Sequence, residues 1–163
     1  SAEVAKDTAA IQKALDECPA GGTVLVPAGV YAVDHLDLRS VLTLEISVGA
    51  TLQFLPRGSG NYPTRRIELP GPEGEISVEH FGLLTAHRVK NLTISGGGVI
   101  NGNGPSWWLH TSAPRPRLLR FTDCQDIFVQ DIKLDDSPAW NTHVVYVDRA
   151  VFSGVTFRKM STA

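Results

Sequence analysis

Apolar residues first recur at helical spacing. Ile11, Ala14, Leu15 and Cys18 share one face of a helix over residues 7–18, with Asp7 or Thr8 placed to cap its amide groups. Pro19-Ala20-Gly21-Gly22 ends it. From there the period drops to two. Val24 and Val26 alternate with Thr23 and Leu25, and Val30 to Val33 follow the break at Pro27-Ala28-Gly29. Short strands separated by Gly and Pro then continue along the chain, which predicts an all-β architecture behind one leading helix.

The strands repeat. Val41-Leu42-Thr43-Leu44, Asn91-Leu92-Thr93-Ile94, Asp126-Ile127-Phe128-Val129 and Ala150-Val151-Phe152-Ser153 share one shape. Each precedes a second strand: Ala50-Thr51-Leu52, Gly98-Val99-Ile100, Asp131-Ile132-Lys133-Leu134 and Gly154-Val155-Thr156-Phe157. One such pair per coil is expected. Ile127 to Val151 is 24 positions and Leu92 to Ile127 is 35, which places an insertion in residues 102–116. Leu42 to Leu92 is 50, with a further coil or a lateral loop in the Gly- and Pro-rich stretch 56–72.

A recurrence of this length fits a solenoid whose strands stack about 4.8 Å apart, each coil burying its inward side chains on the next. Parallel crossovers make it right-handed. An open coil exposes apolar side chains and unpaired strand groups, so the leading helix reads as the N-terminal lid. Residues 158–163 are too short and polar for a second lid. The expectation is therefore a single β-helix domain over 1–163 that is a C-terminally truncated portion, a shortened protein, or one half of a self-associating assembly.

Composition narrows the partners. At 163 residues and 42% apolar content the chain is long enough to bury a core. A net charge of −2 gives no basic field for nucleic acid, so an acidic ligand must be held by local cations. No apolar run is long enough to span a bilayer, and residues 1–6 lack a signal-peptide core. Cys18 and Cys124 read as two buried free thiols, and Asn91-Leu92-Thr93 makes Asn91 a glycosylation candidate.

Residues 7–15, Gly21-Gly22-Thr23-Val24-Leu25-Val26-Pro27-Ala28-Gly29-Val30-Tyr31 and Gly49-Ala50-Thr51-Leu52 closely resemble, in order, the opening of glycoside hydrolase family 28, the polygalacturonase-type pectin hydrolases. Gly97-Gly98-Val99-Ile100-Asn101-Gly102-Asn103-Gly104, Trp107-Trp108, Arg115-Pro116 and Ser137-Pro138-Ala139-Trp140-Asn141-Thr142-His143 are similar to its later landmarks. The resemblance implies a right-handed, single-stranded parallel β-helix with a short capping helix. It also implies inverting hydrolysis of α-1,4-galacturonan or a related pectin, no metal or cofactor, and a secreted or periplasmic setting.

Inversion needs two carboxyl groups about 6.5–9.5 Å apart. The family takes its carboxylates and substrate grip from Asn-Thr-Asp, Asp-Asp, Gly-His-Gly and Arg-Ile-Lys motifs, expected in coils beyond this chain. Asn141-Thr142-His143 lacks the acid, Asp135-Asp136 sits in a turn before Ser137-Pro138, and Asp131-Ile132-Lys133 lacks the Arg. No catalytic residue is therefore expected here. The substrate-binding candidates are His143, Asn141, Trp108 and Arg115. A structural histidine is an equal reading of His143, and Trp107 and Trp108 either stack on sugars or cover the coil. Arg115, Arg117 and Arg120 either meet galacturonate or pack on the coil surface. The alternative to a hydrolase portion is a non-catalytic β-helix that binds carbohydrate or serves as a structural module. A calcium-dependent lyase would need clustered carboxylates, and the Trp-Trp and Ser-Pro-x-Trp landmarks argue against it.

Overall fold

The structure, a computed structural model, describes residues 2–68, 76–80, 82–109 and 114–159. Residues 1, 69–75, 81, 110–113 and 160–163 lie outside these.

The chain forms a right-handed parallel β-helix. One wall stacks β1 (Gly22–Val26), β4 (Leu42–Ile46), β9 (Lys90–Ser95) and the second halves of β11 (Leu119–Gln130) and β13 (Thr142–Ser153), all parallel. A second wall stacks β2 (Gly29–Val33), β5 (Ala50–Phe54), β10 (Val99–Asn101), β12 (Lys133–Asp135) and β14 (Thr156–Arg158). The expected pair of strands per coil is thus present, but there is also a third segment. β3 (Leu36–Asp37), β8 (Leu84–His87) and the first halves of β11 and β13 form their own ladder.

The third segment escaped the repeat because no loop announces it. It is separated from the next strand by single residues in the left-handed conformation. Val41, Asn91, Asp126 and Arg149 form one such corner column, and Arg88, Asp123 and Tyr146 another, all with φ between 53° and 63°. Non-glycine residues rarely adopt this region, and Asn and Asp tolerate it best. Salt bridges link neighbouring coils along both columns, Arg88 to Asp123 at 3.2 Å and Arg149 to Asp126.

Inward side chains stack coil on coil. Val24, Leu44, Ile94, Val129 and Phe152 occupy one register column, and Tyr31, Leu52, Ile100, Leu134 and Phe157 another. The register corrects the last repeat by one residue. Ile127 pairs with Ala150 rather than Val151, a step of 23 positions. A one-residue slip reverses every side chain, so Phe152 turns inward and meets Phe121 edge-on at 6.4 Å. At this end Val144, Val151, Phe152 and Phe157 remain 38–52% exposed.

The 50-residue interval holds a lateral antiparallel hairpin, β6 (Thr64–Glu68) with β7 (Ile76–His80), rather than another coil. The 35-residue interval carries a one-turn helix, α2 (Pro105–Trp108), on an excursion between β10 and β11.

The lid helix α1 runs Ala2–Glu17, so it begins before Asp7 and stops before Cys18. Asp7 and Thr8 are not its caps. Asp7 Oδ2 accepts the Ala32 amide at 3.1 Å and Thr8 Oγ1 accepts the Asp34 amide at 3.0 Å. Gln12 accepts the Asp37 amide at 2.9 Å and donates to the Asp37 carbonyl at 3.0 Å. Three polar side chains of the helix thus stand in for the missing strand along the outer edges of β2 and β3, while Ile11 and Leu15 cover the core. The His35 Nε2 contact to Asp37 Oδ1, 3.1 Å, holds the Asp37 carboxyl below its ordinary range. Gln12→Ala is expected to lower stability by about 1–2 kcal/mol, from the lost pairing of the Asp37 backbone. Hydrogen exchange would show the loss first at the Asp37 amide. An unchanged exchange rate there would remove this account of the lid.

Candidate functional site

The turns that leave β10, β12 and β14 stack on one flank of the coil. In the insertion, the Gly104 amide donates to the Asp136 carbonyl at 2.7 Å, which fixes α2 over the next coil. A Cβ on Gly104 would lie 2.5 Å from the Trp108 ring, so only glycine lets the indole approach this closely. Trp108 Nε1 donates to the Ser137 carbonyl at 3.0 Å, and Ser137 Oγ donates to the Trp140 carbonyl at 2.9 Å. The indole is thereby held against the Ser137-Pro138 turn.

An open cleft of about 580 Å³ lies here, lined by Trp108, Arg115, Ser137, Ala139, Asn141, Phe157, Arg158 and Lys159. Three of the four sequence candidates, Trp108, Arg115 and Asn141, therefore line one cleft. Asn141 Oδ1 is buried and accepts no hydrogen bond from the described residues. His143 is not among the lining residues. Its ring meets Trp140 edge-on at 5.2 Å, and the Arg117 guanidinium lies 4.6 Å from the centroid of Trp140. Histidine, arginine and tryptophan make a neighbouring stack.

The two adjacent tryptophans separate. Trp107 is 2% exposed and packs edge-on against Tyr62 at 5.3 Å, so it covers the coil. It closes a second pocket of about 380 Å³ with Arg57, Gly58, Gly60 and Tyr62. Burial pushes the Tyr62 hydroxyl well above its ordinary range, and that hydroxyl donates to the Leu55 carbonyl at 2.6 Å. Arg120 is almost fully buried, which favours packing over ligand contact.

Asp135 is buried at the end of β12 and bonds both ends of one guanidinium, Arg158 Nε at 3.0 Å and Nη2 at 2.5 Å. That hydrogen bond and charge push the Arg158 guanidinium further up from its ordinary value. Asp136 adopts a φ of 45° in the turn, its carbonyl taken by Gly104. Asp131 and Lys133 are exposed, while Ile132 between them is buried. Asn91 occupies the left-handed corner column, a backbone reason for asparagine there that is independent of the sequon. Both cysteines are free, and burial raises the Cys124 thiol.

Phe157, Arg158 and Lys159 line the cleft but are not among the sequence candidates, because the polar pattern of residues 158–163 speaks only against a lid. A signal existed. The second-strand repeat aligns Leu134 with Phe157, and extending it by one position sets Arg158 on Asp135, the register observed.

The model of the Glycosyl hydrolases family 28 matches residues 19–163. Over 106 residues the chain is 37% identical to an exo-poly-alpha-D-galacturonosidase of Dickeya chrysanthemi, covering 60% of this chain and 17% of that enzyme. Polygalacturonase-2 of Solanum lycopersicum is 33% identical over 125 residues, 61% of this chain and 27% of the enzyme. The chain thus spans less than a third of the length of either relative. Among solved structures, the hyperthermoactive exopolygalacturonase from Thermotoga maritima superposes with a TM-score of 0.77 at 19% identity, covering 93% of this chain and 43% of that one. The polygalacturonase from Erwinia carotovora gives 0.72 at 26% identity, covering 96% and 46%. With its coils and its ordered landmarks matched along residues 19–163, this chain belongs to glycoside hydrolase family 28.

Proposed function

We propose that this chain is the substrate-holding portion of a pectin-acting glycoside hydrolase, and that the cleft beside Trp108 grips the galacturonan chain. The carrying observation is the cleft's lining: an indole, an asparagine amide and three cations, with no carboxylate among them. An indole face packs on the C–H face of a sugar ring, and guanidinium or ammonium groups pair with uronate carboxylates. Arg158 is already held by Asp135, which leaves Arg115 and Lys159 without a carboxylate partner among the described residues.

Hydrolysis asks for more. Inversion requires one carboxylic acid and one carboxylate on opposite sides of the scissile bond. Near this cleft the described carboxylates are Asp135, committed to Arg158, and Asp136, folded into a turn. Binding without cleavage is therefore the expected behaviour of the 163-residue chain. Incubated with polygalacturonate, the pure chain is expected to release no reducing ends above background while retaining the polymer on a pull-down. Robust release would overturn the assignment of roles. Failure to retain the polymer would overturn the cleft as its binding surface.

A further inference from the structure

The Lys159 ammonium sits over the Trp108 ring, 4.6 Å from its centroid. This occupies the aromatic surface that a stacking sugar would use. The indole cannot readily turn away, because its Nε1 is held by the Ser137 carbonyl and its ring lies against Gly104. Lys159, on a flexible exposed stem, is the movable partner. Arg158 on the neighbouring position is immobilised by two bonds to Asp135 and is electrically neutralised by it. Arg115, which lines the same cleft, has no carboxylate partner among the described residues.

We propose that Lys159 and Trp108 form a charge-selective sugar platform that admits free uronic acids and disfavours their methyl esters. The proposal rests on the reading of this cleft as a sugar-binding surface. A neutral or esterified ring must displace the ammonium from the indole and offers it only neutral oxygens in return. A ring bearing a carboxylate displaces the same ammonium but receives it in a charge-assisted hydrogen bond, with Arg115 as the second cation. Lys159 is thus a specificity-determining residue, and Asp135 is a positioning residue that keeps Arg158 from competing for the same carboxylate.

The test is titration of the 163-residue chain with trigalacturonate and with its fully methyl-esterified form, followed by tryptophan fluorescence and calorimetry. The wild-type chain is expected to favour the acid. Lys159→Met is expected to weaken acid binding about tenfold, to leave ester binding the same or tighter, and to abolish most of the salt dependence. Lys159→Arg is expected to restore the preference, since it keeps the charge. Equal weakening of acid and ester by Lys159→Met, or no change in either, would overturn the platform while leaving the cleft as a sugar site. If neither ligand binds the wild-type chain, the cleft reading itself falls and the platform falls with it.

Discussion

Gly96→Ala is expected to leave little folded protein. Gly96 lies at the corner between β9 and β10 with a φ of +116°, which side chains rarely adopt. Space is the more severe constraint. A Cβ there would sit 2.4 Å from the Ile46 carbonyl oxygen and 2.7 Å from its carbon. These atoms belong to the backbone of the preceding coil, and that oxygen already accepts the Gly98 amide at 2.9 Å. No rotamer change relieves the overlap, so one coil must lift from the next. Strain of about 1–3 kcal/mol from the dihedral adds to the clash, for a total on the order of 4 kcal/mol or more. That is comparable with the whole stability of many domains. Gly21→Ala is the internal control: its φ is +80°, but nothing lies within 4 Å of the added carbon. It is expected to cost only about 1–2 kcal/mol. Urea midpoints followed by circular dichroism would separate the two, and similar midpoints would refute the steric argument.

Position along the stack should decide the cost of losing a core side chain. Leu52 is fully buried midway in a column, with Tyr31 on one side and Ile100 on the other. Leu52→Ala leaves a cavity bounded by two coils that are held apart by strand hydrogen bonds and cannot collapse together. The expected loss is about 3–4 kcal/mol. Phe157 lies two coils beyond Ile100 in the same column, with Leu134 between them, and is 52% exposed. Phe157→Ala is expected to cost about 1 kcal/mol or less in the same chain, despite removing the larger group, because much of that ring is already in water. An equal loss at both positions would mean that the final described coil is as well covered as the inner ones.

The recurrent strands and the two long intervals were legible because strand alternation and turn residues are local features. Leu42 to Leu44, Leu92 to Ile94 and Ile127 to Val129 lie on the same wall, as their shared pattern predicts. Where the pattern weakens, the structure departs from it. The last repeat was placed one residue late, because Ala150 and Val151 look equally apolar and only contact with Ile127 chooses between them. The polar face of the lid was assigned the ordinary duty of a helix start. Asp7, Thr8 and Gln12 instead serve strand edges some 25 residues away, a need that no local pattern expresses.

For the cleft, Trp108, Arg115 and Asn141 were found as separate candidates, and the fold made them neighbours. Trp107 and Trp108 are indistinguishable as letters. The direction of each indole depends on Tyr62 from an earlier coil and on the Ser137 turn of a later one. Likewise Arg158 and Lys159 are adjacent cations until Asp135, 23 residues upstream, neutralises one and leaves the other on an indole.

By itself, then, the sequence determined that this protein is a lidded β-helix with an insertion before its Ser-Pro-x-Trp turn, since helix and strand periods and turn residues act over a few positions. Only the tertiary structure decided which aromatic face and which cations remain available to a ligand. Availability is what is left after partners from other coils have been satisfied, and stacking brings those partners within reach.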